Sequence, residues 1–521
     1  MSERLQKAVS YALGAGYQLE KGAFELLQTL SQREDPMKLM EKAIEKAEMI
    51  PTKPLFIGRD FLGEIVDEIF PKEGVEAAPL QPSPPSPMVP FKTQKKVFRA
   101  YAKDVAPEIK VLEDPTDKIC TTGSLGEYLE YFQDRFKRLE RLFRRRMDTK
   151  DATPISEALK APDNSKVKIV CMVTEKREAK QRIFLRVEDL EASATVLVQP
   201  GANSSIMEKA RATLLDQVVC ISAIKGRNDL LIAEDIVLPD VLPKKPNVSS
   251  VPVYAALISD LHVGSGMFLR KPFSHFILWL KGKFGDERLR RVAGHVKYVV
   301  IAGDLVDGIG VYPGQAKELA IRDVHRQHRM LAKLIAKIPE YIEVIVIPGN
   351  HDASRKALPQ PAIPKDYAEP LYEAREIHSL GNPSTISLHG VELLLYHGRS
   401  LDDVIGSVPN VGFNSPEKAM RLLLQCRHMA PTYGQRTPIA SEKRDFMIIE
   451  RVPDIFHAGH IHVLKHDTYR GVLLLNSGAW QGQTDYQKKM GLTPTPGIAP
   501  IVNLQTLEVT TLDFKTAEAW T

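Results

Sequence analysis

In the C-terminal half of the chain, five apolar runs each end in residues that can bind a metal or move a proton. Each run has the length of a buried strand, and the polar side chains that recur at the ends are Asp, Asn and His. These residues are Asp260 and His262, Asp304 and Asp307, Asn350 and His351, His397, and His460 and His462. A single Asp or His after a strand is usually a turn residue or a cap. Five such ends in one domain are hard to explain as turns, so the sequence predicts a metal site.

The spacing within two of the pairs supports this prediction. One residue separates Asp260 from His262, and one separates His460 from His462. On an extended segment this spacing puts both side chains on one face. Imidazole ligands favour zinc, iron or manganese, whereas carboxylate and carbonyl oxygens are also compatible with manganese or magnesium. We expect two divalent ions with a shared carboxylate ligand, and the residue types leave Mn²⁺, Zn²⁺, Fe²⁺ and Mg²⁺ open. Such a pair of ions activates water for phosphoester hydrolysis.

The elements that must position these residues form an α/β pattern. The apolar runs are nearly continuous, as in strands buried on both faces, and helical segments separate several of them. In such folds the loops at the carboxyl ends of strands build the site. Residues 250–521 are therefore predicted to form one α/β sandwich with the site at the strand ends.

The N-terminal half divides into three further parts. Residues 1–70 have helical patterns, with Asp35 placed to cap a helix that Pro36 begins, and we expect a small partner-binding module. Residues 71–95 are rich in Pro, Ala and Ser and are predicted to be a flexible linker.

Residues 96–245 contain five strand-like segments with a short helix between the third and fourth, which is the plan of an OB-fold. Before the strands lies an amphipathic helix, 124–147, with a Ser124–Glu127 capping box and a basic end. The basic end suits the helix dipole, and a nucleic-acid contact there is the alternative. Whether the OB-fold meets DNA or protein stays open, since its strands lack exposed aromatic residues.

Composition narrows the class of protein. The chain is 43% hydrophobic and 26% charged, as in ordinary globular proteins, and a net charge of +5 permits a polyanionic partner without requiring one. The four cysteines lie far apart, which argues against a zinc ribbon or a disulfide framework. We find no signal peptide and no membrane span in the sequence, so we expect a cytoplasmic protein without a membrane partner.

Taken in order, the motifs D-x-H, G-D-x-x-D, G-N-H-D, H-G and G-H-x-H resemble those of the calcineurin-like metallophosphoesterase superfamily, over about residues 252–480. The stretches "GNHDASRKALPQPAIPK", "YHGRSLDDVI", "APTYGQRTPIASEKRDFMIIERVPDIFHAGHIH" and "NSGAWQGQT" resemble the small subunit of archaeal family D DNA polymerases, and so does the order of domains. That family is the proofreading 3′-5′ exonuclease partner of a large polymerase subunit. The resemblance therefore implies a prokaryotic, nucleoid-associated enzyme whose partners are the large subunit and the primer 3′ end of DNA. The N-terminal module would be a site for a sliding clamp or another replication protein.

By this resemblance, Asp260, His262 and His462 hold one metal, and Asn350, His397 and His460 hold the other. Asp304 bridges the two metals, and His351 protonates the leaving oxygen or steadies the transition state.

Residues next to these motifs are predicted to support the ligands or to contact DNA. We expect Asp352 and Asp307 to support the ligands, with Asp352 orienting His351 or holding its loop. The basic residues Arg355, Lys356 and Arg399 are predicted to contact the DNA backbone.

Two other functions remain open from the sequence. A stand-alone metallophosphatase would share the metal motifs, but protein phosphatases of the superfamily read G-D-x-V-D-R-G and G-N-H-E. Here Gly308 and Ile309 follow Asp307, and Asp352 follows His351. A scaffold with vestigial catalysis is the second alternative, and the complete set of ligand positions argues against it as the sole role.

Overall fold

The computed structural model describes residues 3–15, 17–30, 35–48, 56–58, 61–63, 65–66, 98–200, 205–489 and 491–516. The chain divides into two compact units, residues 1–93 and 94–521. The predicted linker, 71–95, lies outside the described residues.

Helices are the main elements among the described residues of the first unit, and its place as a partner-binding module stays a prediction. They include α1 (Glu3–Gly14), α2 (Lys21–Leu30) and α3 (Pro36–Glu48). The Asp35 carboxylate accepts a hydrogen bond from the Met37 amide at 3.1 Å, in keeping with its predicted place at the start of α3. Two short parallel strands, β1 (Gln18–Leu19) and β2 (Phe56–Ile57), were not predicted. The apolar sides of the helices, including Leu5, Leu27 and Met40, form a separate small core.

The second unit begins with an edge strand, β3 (Ile109–Glu113), and the long helix α4 (Leu125–Arg144). The capping box of Ser124 and Glu127 is present at the start of α4, as predicted. The basic end of α4 is partly internal, because Arg138 is buried and contacts Glu450 and Asp134 at 2.9 Å.

A closed five-stranded barrel follows α4. It comprises α5 (Ile155–Lys160), β4 (Lys166–Ala179), β5 (Arg182–Glu188), β6 (Ser193–Val198), α6 (Ser205–Ala212), β7 (Val218–Lys225) and β8 (Leu230–Val237). The strand order is β4-β5-β6-β8-β7, and β7 pairs with β4 to close the barrel. Alternate residues such as Ile183, Leu185 and Val187 fill its interior, as the two-residue period of strands requires. The helix between the third and fourth barrel strands is where the sequence places it. The assignment of this barrel to the OB-fold stays a prediction.

Two mixed six-stranded sheets build the rest of the unit. The first has the order β12-β11-β10-β9-β18-β19 and the second β16-β17-β15-β14-β13-β3. The strands are β9 (Tyr254–Ile258), β10 (Val296–Ala302), β11 (Glu343–Ile347), β12 (His378–Ser379), β13 (Ser384–Leu388), β14 (Val391–Leu395), β15 (Ile455–Ala458), β16 (Lys465–Tyr469), β17 (Val472–Asn476), β18 (Ile498–Asn503) and β19 (Val509–Asp513). Strands β9, β10 and β11 run parallel in one sheet, and β14, β15 and β17 run parallel in the other.

The two sheets pack face to face, with helices on both outer sides. Leu257 and Val300 of the first sheet meet Leu393 and Leu475 of the second in a continuous apolar core. The helices are α7 (Arg270–Leu280), α8 (Glu287–His295), α9 (Val324–Ile335), α10 (Lys365–Ala374), α11 (Leu401–Ser407), α12 (Pro416–Cys426) and α13 (Asp485–Lys489). Helices α7, α9 and α10 cover the first sheet, and α11 and α12 cover the second. Both faces of each central strand are buried, which explains their nearly continuous apolar runs.

The structure differs from the prediction at the start of the domain predicted for residues 96–245. The sequence predicts residues 96–245 as one part, but Ile109–Glu113 pairs with β13 as the edge strand of the second sheet. The sequence of a five-residue strand does not indicate which sheet the strand joins, so this long-range pairing could not be predicted.

Candidate metal centre

All five predicted strand ends meet at one edge of the sandwich, beside a cavity. The segments after β9, β10 and β11 come from one sheet, and those after β14 and β15 come from the other. Because the strands in each set are parallel, their carboxyl ends lie side by side. The cavity has a volume of about 300 Å³, and its lining includes His262, Asp304, Asn350, His351, His460 and His462.

The first group of side chains consists of Asp260, His262 and His462. His462 Nε2 lies 3.1 Å from His262 Nε2 and 3.3 Å from Asp260 Oδ1. His262 Nε2 is 3.8 Å from the same Asp260 oxygen. Three buried donor atoms thus face one another at distances that suit ligands around a single ion.

The second group consists of Asn350, His397 and His460. Asn350 Oδ1 lies 3.0 Å from His397 Nε2, and ligand atoms of His397, His460 and Asp304 lie within 4.8 Å of one another. Asp304 Oδ2 stands between the groups, 3.4 Å from His397 Nε2 and 3.6 Å from His262 Nε2. The arrangement is therefore that of two adjacent sites with one carboxylate in common.

Each imidazole of the site has one ring nitrogen held by another part of the protein. Asp307 Oδ1 lies 3.0 Å from His262 Nδ1, the Ala302 carbonyl lies 2.9 Å from His397 Nδ1, and the Gln487 amide lies 2.8 Å from His462 Nδ1. Two more such contacts are Asp402 Oδ2 to His460 Nε2, 3.1 Å, and the Asp307 carbonyl to His351 Nδ1, 2.8 Å. Metal-binding histidines typically have such an outer partner, which fixes the ring and leaves the other nitrogen for the ion.

A buried carboxylate oxygen gives further support for a metal centre at these residues. Asp260 Oδ1 is fully buried and accepts no hydrogen bond from any residue in the described part of the chain. A buried carboxylate oxygen without a donor is costly, and a bound cation removes that cost. This oxygen faces the imidazoles of the first group, so the donor set suits a divalent transition metal.

Buried charges shift the ionisation of these groups. Burial by itself would lower the pKa of His262, but Asp307, Asp304 and Asp260 raise it to about 9. Burial would raise the pKa of Asp304, yet the neighbouring imidazoles of His397 and His351 hold it well below its usual range. For His351 burial prevails and lowers its pKa to about 4. The carboxylates are therefore ionised at neutral pH, as metal ligands must be.

The backbone at the ligands has an unusual conformation. Five of the predicted ligands have φ between 50° and 69°, in the left-handed region. These are Asp260, His262, Asp304, His460 and His462. Asp and His tolerate this region better than branched residues do, but each such position still costs about 1 kcal/mol or more. Such strain at functional sites turns the side chains out of the strand direction and towards the cavity.

Two glycines allow the strand ends to approach one another. A Cβ at Gly349 would lie 2.1 Å from Asp304 Oδ1, and a Cβ at Gly459 would lie 2.5 Å from Asp260 Oδ2. Neither contact is compatible with a side chain. The glycines of the G-N-H and G-H-x-H motifs are thus explained by close packing against the two carboxylates.

The two predicted supporting carboxylates have distinct contacts. Asp352 is fully buried and accepts hydrogen bonds from the amides of Gly349, Leu305 and Val306 at 2.8 to 3.2 Å. It therefore holds the loop of His351 against the loop of Asp304, which was one of its two predicted roles, and burial with Asp304 nearby raises its pKa to about 6. Asp307 contacts His262 instead.

The three predicted DNA-contacting residues have different surroundings. Arg355 contacts Glu442 at 2.6 Å and donates to the carbonyls of Ala357 and Pro359, so its guanidinium is used inside the protein. The DNA contact predicted for it is therefore not supported, because sequence cannot reveal a partner 87 residues away. Lys356 Nζ donates to the carbonyls of Asn350 and Asp352 at 2.7 and 3.4 Å, and Arg399 lines the cavity.

Sequence reasoning missed several residues that support the centre. Asp402 and Gln487 contact ligands, and Gln360 joins the Gly349 carbonyl to the Asn382 side chain. Asp402 lies in the stretch "YHGRSLDDVI", which the sequence singles out without indicating a partner for this residue. Arg436 also lines the cavity and lies in the stretch "APTYGQRTPIASEKRDFMIIERVPDIFHAGHIH", which the sequence singles out without indicating a role for this residue.

The fold and the site define a multidomain α/β protein whose mixed-sheet sandwich carries a His, Asp and Asn cluster at its strand ends. Residues 255–464 match the family described as the B subunit of DNA polymerase alpha/epsilon. The chain is 41% identical to the DNA polymerase II small subunit of Archaeoglobus fulgidus, over 79% of this chain and 82% of that protein. It is also 41% identical to the DNA polymerase II small subunit of Methanothermobacter thermautotrophicus, over 76% of this chain and 81% of that protein.

The chain therefore belongs to the family of archaeal DNA polymerase II small subunits, the small subunits of family D polymerases. Among the described helices, none combines the length and hydropathy that a membrane span requires.

Proposed function

We propose that this chain is the proofreading 3′-5′ exonuclease subunit of a family D DNA polymerase, and that it hydrolyses DNA phosphodiester bonds with two divalent ions. The observation that carries the proposal is the place of Asp304, whose Oδ2 lies within 3.6 Å of a histidine from each ligand group. A carboxylate shared by two ligand groups is the arrangement that two-metal hydrolases require. Mn²⁺ is the preferred ion, with Zn²⁺, Fe²⁺ and Mg²⁺ as alternatives.

The two ligand groups have separate tasks in this proposal. Asp260, His262 and His462 would hold one ion, Asn350, His397 and His460 would hold the other, and Asp304 would contact both. When bound, the two ions neutralise the phosphoryl oxygens and lower the pKa of the attacking water. Asp307, Ala302, Gln487 and Asp402 keep the four imidazoles oriented through their outer nitrogens.

His351 is the candidate general acid. Its Nδ1 donates to the Asp307 carbonyl at 2.8 Å, which fixes the ring and leaves Nε2 for the cavity. There Nε2 would give a proton to the leaving 3′ oxygen. Burial favours the neutral ring, and the negative charge of a bound phosphodiester opposes that effect.

The proposed function also includes assembly with other replication proteins. The relatives' names support a large catalytic subunit as the partner of this chain. The primer 3′ end of DNA would be the substrate. The barrel and the N-terminal helical unit would serve assembly, the latter with a sliding clamp or another replication protein. Scaffolding and catalysis are compatible, since the ligand cluster lies at one end of the sandwich.

The test is removal of a mismatched 3′ nucleotide from a 5′-labelled primer in the presence of Mn²⁺, by the full chain alone and with a large subunit. General acids contribute about 10²- to 10⁴-fold, so H351A should lower the rate by at least the smaller factor. D304N should abolish the reaction. H325A removes an exposed imidazole on α9 and is the matched control.

Two outcomes would contradict the proposal. Hydrolysis of phosphoproteins by the same preparation, with DNA left intact, would indicate a metallophosphatase. Undiminished DNA hydrolysis by D304N would show that the activity does not come from this site. Binding to the large subunit should survive H351A, because His351 lines the cavity.

A further inference from the structure

The cavity beside the predicted ligands contains two arginines from distant parts of the chain. Arg399 follows the His397-Gly398 pair directly, and Arg436 lies in the segment between α12 and β15. Both belong to the lining of the cavity that also contains His460. Asp402, whose Oδ2 contacts His460 Nε2 at 3.1 Å, lines the same cavity. Two positive charges thus lie next to the second ligand group.

Among the described residues, neither guanidinium has a carboxylate partner in an ion pair. Within the described part of the chain, no carboxylate oxygen lies within 4.0 Å of the Arg399 or the Arg436 side chain, and Asp402 is engaged with His460. The Arg399 side chain donates a 3.4 Å hydrogen bond to the Lys356 carbonyl. By contrast, Arg355 and Arg138 have carboxylate partners at 2.6 and 2.9 Å. Arginine planes without a carboxylate suit bidentate recognition of phosphate.

The protein holds Arg436 in place through its backbone. Asp403, which is buried, accepts hydrogen bonds from the amides of Arg436 and Thr437 at 3.0 and 3.1 Å. The same segment pairs with the loop after His351, since Leu358 donates to the Pro438 carbonyl at 2.9 Å. Arg436 is thus an exposed side chain on a fixed backbone, which lowers the entropy cost of binding a ligand.

Asp402 and Asp403 are adjacent on α11 and serve neighbouring parts of the site. Asp402 contacts the ligand His460, whereas Asp403 fixes the segment of Arg436. The stretch "RSLDD", residues 399–403, therefore joins a metal ligand to both arginines. This gives a use to a motif that the ligand set alone does not explain.

We propose that Arg436 and Arg399 form a phosphate subsite that binds the backbone phosphate next to the one that is cleaved. The inference rests on the proposed function, because it assumes that the substrate is a polynucleotide. The predicted ions would bind the cleaved phosphate, and the arginines line the same cavity as Asp402, which contacts the ligand His460. A phosphodiester chain offers a second anion at that side, whereas a single phosphate ester does not.

The test measures binding rather than hydrolysis, so that it stands even if the chain does not cut DNA. All variants are made in an H351A background with Mn²⁺ present, and the fluorescence anisotropy of a 5′-labelled single strand gives Kd. A second strand carries uncharged methylphosphonates at the linkages nearest its 3′ end. The reference protein should bind the natural strand more tightly than the methylphosphonate strand.

R436Q should raise Kd for the natural strand about tenfold, a typical effect for one desolvated charge-assisted contact, and should remove most of the preference over the methylphosphonate strand. R399Q should act in the same direction. R288Q removes an exposed arginine on α8, outside the cavity, and should preserve the preference. R436K tests geometry, because a lysine restores charge but not the planar fork.

Two results would overturn the subsite. If R436Q keeps the full preference for the natural strand, Arg436 binds no backbone phosphate. If orthophosphate displaces the strand at concentrations below the Kd of the strand, the arginines form a site for free phosphate instead. If the exonuclease assay fails but R436Q still weakens binding of the natural strand, the phosphate subsite is supported and the proposed exonuclease activity is not.

Discussion

Asp402 Oδ2 lies 3.1 Å from Nε2 of His460, and this contact joins helix α11 to a predicted ligand 58 residues further on. Because the hydrogen-bonded nitrogen is fixed, the other nitrogen of the ring faces the second ligand group. The orientation of His460 thus depends on a residue outside every ligand motif.

D402A should weaken the binding of one of the two Mn²⁺ ions by about 10- to 100-fold, which is the usual cost of losing an outer partner of a metal ligand. Titration calorimetry of the full chain measures both ions. D402N keeps a hydrogen-bonding group and should cost less. D366A removes an exposed carboxylate on α10 and is the control. Unchanged affinity for both ions in D402A would show that His460 needs no such partner.

R355A should lower the free energy of unfolding by about 1–3 kcal/mol, because it leaves the buried Glu442 carboxylate with only the amides of Cys120 and Thr121 as partners among the described residues. Urea unfolding gives the loss. Combining R355A with E442Q should cost less than the sum of the two changes, since they share one contact. Weaker DNA binding with unchanged stability would instead restore the DNA contact predicted from sequence.

G349A should abolish Mn²⁺ binding or prevent folding, since its Cβ would lie 2.1 Å from Asp304 Oδ1. Metal analysis after dialysis and circular dichroism distinguish the two effects. The control is G126A, in helix α4, where the nearest atom to the added Cβ is 4.0 Å away. A G349A protein with two tightly bound ions would show that the Asp304 loop can move aside.

The stability of the second unit should fall as the pH falls from about 6.5 to 4, in part through His428. His428 is buried against Asp445 at 2.8 Å, and burial lowers its pKa from 6.5 to about 4. Between these values the unfolded chain binds the proton and the folded chain does not, so acid favours unfolding by up to about 3 kcal/mol for this group. Urea midpoints at pH 4.5 and 7 should therefore differ less in H428Q than in the natural chain. An equal difference would place the pH dependence elsewhere.

Much of the sandwich could be predicted because its strands are buried on both faces, which leaves long apolar runs that end abruptly in Asp, Asn or His. These ends predicted a metal site, and the resemblance of the motifs to a known superfamily assigned Asp260, His262, Asp304, His460 and His462 to it. Their left-handed backbone could not be predicted, because it is imposed by packing around the cavity rather than by local preference.

The outer partners of the site could not be predicted for a different reason. Asp402, Gln487 and Gln360 contact residues that are far away in sequence, and each type is common on protein surfaces. The contact between Arg355 and Glu442 could not be predicted for the same reason, because the sequence does not distinguish an exposed basic residue from one that is paired with a buried glutamate. Only the three-dimensional structure distinguishes them.

The pairing of Ile109–Glu113 with β13 has a consequence for how the chain can be divided. The strand precedes the barrel in sequence, whereas the rest of its sheet follows the barrel, so the barrel is inserted within the sandwich. A fragment that begins at residue 250 would leave the backbone of β13 unpaired along one side and open to other chains. No single cut can release either part intact, and deletion or exchange of the barrel would need two joints that preserve the first strand.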